Sequence, residues 1–89
     1  MKQAQVTIIN KLGLHIRACN VLVSTAQRFS SKITLNTEKK SADAKSIMDL
    51  MMLGASKGVE LTIKAEGEDE DAACDKVVEL INNRFGEAE

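Results

Sequence analysis

Residues 59–66 impose the tightest restriction on the fold. Val59, Leu61, Ile63 and Ala65 alternate with Glu60, Thr62, Lys64 and Glu66, and a period of two puts every apolar side chain on one face of a strand. A strand patterned this way needs cover on one side only, so the chain must supply a sheet with one wet face and a second layer packed on the other. Two further segments share the pattern. Ala4, Val6 and Ile8 alternate with Gln3, Gln5 and Thr7, which predicts a strand near residues 2–9, and Ile33 and Leu35 alternate with Lys32, Thr34 and Asn36. The polar stretch Thr37-Glu38-Lys39-Lys40 can then turn the chain into a short strand near 40–44, giving a hairpin with a weak second arm.

Helices supply the cover. From Ile16 onward the apolar positions Cys19, Leu22, Val23, Ala26 and Phe29 recur at helical spacing, which predicts a helix over 16–28. Ser46 followed by Asp49 reads as an N-cap with its capping-box partner, opening a short helix from Ile47 to Leu53 that Gly54 can close. The acidic cluster Glu68-Asp69-Glu70-Asp71 suits the positive end of a helix. Beyond it, Ala73, Val77, Leu80, Ile81 and Phe85 form a stripe ending at Gly86, which predicts a helix over 70–85. The order strand, helix, strand, strand, helix, strand, helix packs most simply as an α+β open-faced β-sandwich, a four-stranded antiparallel sheet with three helices on one face. With no internal repeat and no linker, residues 1–89 are expected to form one domain.

Size and charge narrow the functions available. A chain of 89 residues hides only roughly 60–65% of its unfolded surface, which leaves little room for a deep catalytic cavity and points to a carrier or docking protein rather than a complete enzyme. Twelve basic and thirteen acidic residues give a net charge of -1, without a basic tract and with only Phe29 and Phe85 to stack on bases, so nucleic acid is not an expected partner. Nothing approaches the roughly 20 apolar residues of a spanning helix, and Met1 to Val6 lack the apolar run of a signal peptide. A cytoplasmic location without membrane insertion is expected. Cys19 and Cys74 have no CxxC spacing and only one histidine to join them, so no metal site is expected. Both are read as small core residues, with a reactive role as the alternative.

That histidine lies in Gly13-Leu14-His15-Ile16-Arg17, at the boundary between a loop and the first helix. The first amides of a helix have no intrahelical partner and attract anions. The positive end of the macrodipole, with Arg17 two residues on, favours an uncharged ring by on the order of 1 kcal/mol. An uncharged imidazole is a nucleophile, and unpaired amides beside a guanidinium suit a phosphoryl group once attached. These residues therefore fit a transient phosphohistidine; a histidine that merely ends a turn fits them as well.

Gly13-Leu14-His15-Ile16-Arg17-Ala18 closely resembles the active-site segment of the HPr family, the histidine-containing phosphocarriers of the bacterial phosphoenolpyruvate-dependent phosphotransferase system. Ser46-Ile47-Met48-Asp49-Leu50-Met51-Met52-Leu53-Gly54 resembles the family's second signature, and the element order matches along essentially the whole chain. The resemblance implies that His15 accepts a phosphoryl group from phosphorylated enzyme I on Nδ1, that Arg17 steadies it, and that an acceptor domain of the phosphotransferase system receives it. The protein would then be a monomeric substrate and carrier without a cofactor, not a catalyst. The resemblance also makes Ser46 a position modified by HPr kinase/phosphorylase, although capping alone is a sufficient reason for a serine there. Ile47, Met48 and Met51, with Asn20, become the partner-docking surface, since a two-turn helix on a sheet cannot bury all three apolar residues. Leu50 and Met52 are left as a loosely filled core edge.

The chain departs from the family pattern at Ala18, where proline is usual, at Asp49, where many members carry glycine, and at Ser24 and Gln27, where many carry lysine. These differences leave a specialised branch, such as nitrogen-related or purely regulatory carriers, open beside the usual sugar-system carriers. The competing reading is a regulatory docking protein controlled through Ser46, with transfer through His15 weak or absent.

Overall fold

In a computed structural model describing residues 1–89, the alternating segments become β1 (Lys2–Thr7), β2 (Lys32–Asn36), β3 (Ser41–Asp43) and β4 (Glu60–Glu66), and the helices are α1 (Ile16–Ala26), α2 (Ile47–Leu53) and α3 (Glu70–Asn82). The strands form one antiparallel sheet in the order β1-β4-β2-β3. The most strongly patterned strand, β4, thus lies in the interior of the sheet, paired with β1 through Ala4↔Ile63 and with β2 through Leu35↔Ile63. Val6, Ile33, Leu35, Ala42, Leu61, Ile63 and Ala65 face the helices and are buried, whereas Gln5, Thr7, Lys32, Ser41, Asp43 and Glu60 lie on the open face and are exposed. The α+β open-faced sandwich follows from that alternation.

The helices close over the sheet with Ala18, Cys19, Leu22, Val23 and Ala26 of α1, Leu50 and Leu53 of α2, and Ala73, Cys74, Val77 and Ile81 of α3, all in one contiguous apolar cluster with the strand residues. Both cysteines are buried free thiols, and burial pushes them up from the ordinary thiol value of 9.0. They serve as small core residues.

Three element ends differ from expectation. α1 stops at Ala26, because its last turn tightens into shorter-range bonds, Arg28 N–H to Thr25 C=O at 3.2 Å and Phe29 N–H to Ala26 C=O at 3.1 Å. β1 ends its ladder at Thr7, but Ile8 remains fully buried and hydrogen-bonded, its N–H donating to Val59 C=O at 3.0 Å. The helix predicted to reach residue 85 ends at Asn82. Arg84 and Phe85 then adopt left-handed conformations, with φ of 57° and 55°, and this turn, not a helical stripe, carries the Phe85 ring into the core. Each such residue costs about 1–2 kcal/mol relative to an ordinary backbone, and burial of the ring offsets part of that cost.

Glu70 and Asp71 lie in the first turn of α3, as the dipole argument expects, but Asp69 has a further task. Asp69, at the N-cap of α3, makes no capping hydrogen bond; its carboxylate accepts from the N–H groups of Ser30 and Ser31, both at 2.9 Å, and from the Ser31 hydroxyl. It ties the start of α3 to the turn that leads into β2.

Candidate functional site

His15 occupies the N-cap of α1, with extended backbone and no side-chain cap. Its position is fixed from two sides. Leu14 N–H donates to Ala55 C=O at 2.9 Å, and Cys19 N–H donates to His15 C=O at 2.9 Å, the first bond of the helix. The amides of Ile16, Arg17 and Ala18 precede that bond and have no intrahelical partner. Gly13 makes the approach possible. With φ at +63° it presses its backbone on the segment before β4, and a Cβ there would meet Ala55 O at 2.6 Å and Ser56 Cα at 2.8 Å.

The ring is about one-fifth exposed, standing at the helix start and not packed into the core. Its Nε2 meets Oε2 of Glu87, a contact not foreseen from the sequence. The expectation considered only the helix end and Arg17, both positive; the structure adds a negative carboxylate against the ring. Fully buried Asn10 donates from Nδ2 to Gly13 C=O at 2.8 Å and to Glu87 Oε1 at 3.1 Å. Burial pushes the Glu87 carboxyl up, but hydrogen bonds from His15 and Asn10, and the charges of His15 and Arg17, bring it below the ordinary 4.5. The tail is anchored beyond Glu87 as well, where Lys11 N–H donates to Glu89 C=O at 2.7 Å and Lys11 Nζ pairs with the Glu89 carboxylate at 3.6 Å. Asn10 and Glu87 are thus site residues that sequence reasoning missed. The available signals were a polar residue at the break after β1 and an acid just beyond the last helix.

Arg17 lies on the first turn of α1, exposed and without an ion pair, one residue before buried Ala18. Asn20, the next turn along, is exposed too. Cys19 links this helix to α2, its thiol 3.8 Å from the Met51 sulfur. On α2, Ile47, Met48, Met51 and Met52 are all exposed, Met48 at 72% and Met52 at 69%, whereas Leu50 is fully buried. Met52 is therefore not at a core edge: it lies on the outward side of α2, and only Leu50 and Leu53 face inward. Leu12 and Ile16, at 60% and 58% exposure, add apolar surface in the His15 segment itself.

Ser46 caps α2 as expected, its Oγ accepting from Asp49 N–H at 3.1 Å. The capping box is only half formed, because the Asp49 carboxylate accepts from Asp43 N–H at 3.2 Å instead of returning to Ser46. No hydrogen bond or ion pair joins Ser46 to His15. No group of three or more His, Cys, Asp or Glu side chains gathers around one point, and no helix is long and apolar enough to cross a membrane.

Comparison with known proteins bears on this arrangement. The family model PTS-HPr, described as the PTS HPr component phosphorylation site, matches residues 2–83. Phosphocarrier protein HPr of Pseudomonas aeruginosa strain PAO1 is 49% identical over 90 residues, covering 100% of both chains. Phosphocarrier protein NPr of Shewanella violacea is 42% identical over 86 residues, 97% of this chain and 94% of that one. A crystal structure of HPr-C-His from Thermoanaerobacter tengcongensis superposes with a TM-score of 0.95 at 44% identity, covering 100% of both chains. A sheet of this order, a lone histidine at the start of its first helix and these matches lead to one conclusion: the chain belongs to the HPr family, the phosphocarrier proteins of the phosphotransferase system.

Proposed function

We propose that this protein accepts a phosphoryl group from phosphorylated enzyme I on Nδ1 of His15 and passes it to an acceptor domain of the phosphotransferase system. The observation that carries this reading is the placement of the chain's only histidine, partly exposed, at the start of α1. With Nε2 engaged by Glu87, Nδ1 is the nitrogen left to attack. The unpaired amides of the first turn and the free guanidinium of Arg17 supply donors for phosphate oxygens. Residues 1–89 act as one unit, and the protein is a substrate of its partner enzymes: it offers a nucleophile and an anion cradle, and the partners supply the remaining transfer machinery. A monomer in the cytoplasm is the form this reading requires, because His15 and the apolar surface of Ile47, Met48 and Met51, with Asn20, must meet donor and acceptor in turn. Incubation with phosphoenolpyruvate and enzyme I tests it. An acid-labile, base-stable phosphate absent from His15→Ala is the expected result, and normal labelling of that variant would sink the assignment.

A second reading rests on Ser46. Its hydroxyl is partly exposed at a helix N-terminus, and the neighbouring Asp49 carboxylate is drawn aside by the Asp43 amide. That leaves a position where HPr kinase/phosphorylase could add a phosphate at the favourable end of the dipole, regulating partner docking while His15 transfers weakly or not at all. Labelling by such a kinase that is lost in Ser46→Ala, in a protein that enzyme I leaves unlabelled, would favour this reading over the carrier.

A further inference from the structure

We propose that Asn10 and Glu87 are positioning residues for His15: a two-step chain of hydrogen bonds holds the ring proton on Nε2, leaves the Nδ1 lone pair as the nucleophile, and supplies the counter-charge once Nδ1 carries the phosphoryl group. This deepens the carrier reading and rests on it.

The Asn10 amide has a defined orientation. Gly13 C=O can only accept, so the amide atom 2.8 Å from it is the nitrogen, and the second proton of that nitrogen points at Glu87 Oε1, 3.1 Å away. The remaining oxygen, Oδ1, is buried without any partner. An unpaired buried acceptor is costly, a cost that an apolar side chain of similar size would avoid. What Asn10 contributes is a pair of donors, one holding the loop before His15 and the other holding Glu87.

Glu87 passes the orientation on. With Oε1 taken by Asn10, Oε2 faces His15 Nε2. An ionised carboxylate has no proton to give, so the hydrogen between them belongs to Nε2. The tail cannot easily swing away, because Phe85 is buried on one side of Glu87 and Glu89 is bonded to Lys11 on the other. The consecutive left-handed residues Arg84 and Phe85 persist where such anchors over-determine the backbone.

The transfer balances without a base. The Nδ1 lone pair attacks phosphorus, the Nδ1–P bond forms, and the bond from phosphorus to the donor's leaving atom breaks with that atom keeping the electron pair. The Nε2 proton stays in place, the ring gains a positive charge, and Glu87 faces it. Onward transfer runs the same step in reverse, with the acceptor's nucleophile attacking and Nδ1 recovering its lone pair.

Glu87→Gln is the deciding variant, since Asn10 already donates toward position 87. The glutamine would turn its carbonyl oxygen to Asn10 and its NH₂ to His15, making Nε2 an acceptor and moving the ring proton to Nδ1. Nitrogen-15 NMR of the neutral ring, read without any donor present, is expected to show Nε2–H in the native chain and Nδ1–H in Glu87→Gln. Phosphoryl acceptance from enzyme I should fall by about 10- to 100-fold in that variant, by analogy with the loss of a group that orients a metal-binding histidine. Glu87→Ala, which dictates neither tautomer, should fall less. Either readout of Glu87→Gln staying at the native value, or a native ring with its proton on Nδ1, overturns the proposal. Failure of the carrier reading looks different, because the native chain itself would then take no phosphate whatever its tautomer.

Discussion

Gly13→Ala should be among the most damaging single-methyl additions in the chain. Two effects add. The left-handed φ of +63° costs an alanine about 1–2 kcal/mol, and the new Cβ would lie 2.6 Å from Ala55 O and 2.8 Å from Ser56 Cα. Those are backbone atoms of a segment that also accepts the Leu14 N–H. They cannot rotate away as a side-chain end would, so relief requires moving the loop, at about 1–3 kcal/mol by analogy with overpacked cores. The sum is about 2–5 kcal/mol, against a total stability of roughly 4–13 kcal/mol for a domain this long. Gly54→Ala is the internal control, because it shares the φ of +63° but its Cβ would meet nothing closer than 3.9 Å. Urea unfolding followed by circular dichroism should therefore place Gly13→Ala about 1–3 kcal/mol below Gly54→Ala. Phosphoryl acceptance per folded molecule should fall only in the former, since the loop that shifts carries His15. Equal destabilisation of the two variants, within about 0.5 kcal/mol, would refute the close-approach argument.

Other expectations follow from the same geometry. Arg17→Glu places negative charge where the phosphate must sit, so acceptance should fall by about tenfold or more; an unchanged rate would remove Arg17 from the site. Ser46→Ala removes the hydroxyl that accepts from Asp49 N–H and should cost about 1 kcal/mol in urea unfolding, with Ser46→Gly costing only a few tenths. The Ser31 hydroxyl and the Ser30 and Ser31 amides hold Asp69 below its ordinary 3.8. Its contribution is therefore full above that value and lost as pH falls through the lower folded value. Asp69→Asn should flatten the fall in Tm on acidification below 3.8, and an identical acid limb in the variant would contradict this. Cys19 and Cys74, buried with thiols pushed up from 9.0, should react with iodoacetamide only in step with unfolding, and rapid labelling of the native protein would show otherwise.

The sequence revealed what rests on local periodicity and on short spacings. The alternation around Ile63 marked a strand with one wet and one dry face, though not its interior place in the sheet, and Ser46 with Gly54 bounded α2 because caps act within a turn. The places of His15 and Ser46 at two helix starts, with Arg17 in the first turn of α1, were legible from two short motifs. Illegible features depend on distant residues meeting or on backbone choices with no chemical signature. Nothing in the text of the chain joins Glu87 to His15 across 72 positions, or Asn10 to Glu87 across 77. The left-handed pair Arg84–Phe85 lacks the glycine or asparagine that usually announces such a turn, so the apolar stripe was carried through Phe85 as helix. Asp49 and Asp69 were expected to serve their own helix ends; each instead bonds an amide in another segment, where competing donors lay within reach.

The contact between His15 and Glu87 spans 72 positions of the chain, so it depends on every segment between them being in place. A chain cut ahead of Glu87 would keep the imidazole and lose the carboxylate that meets it. A break between Glu87 and Glu89 would also free the tether to Lys11.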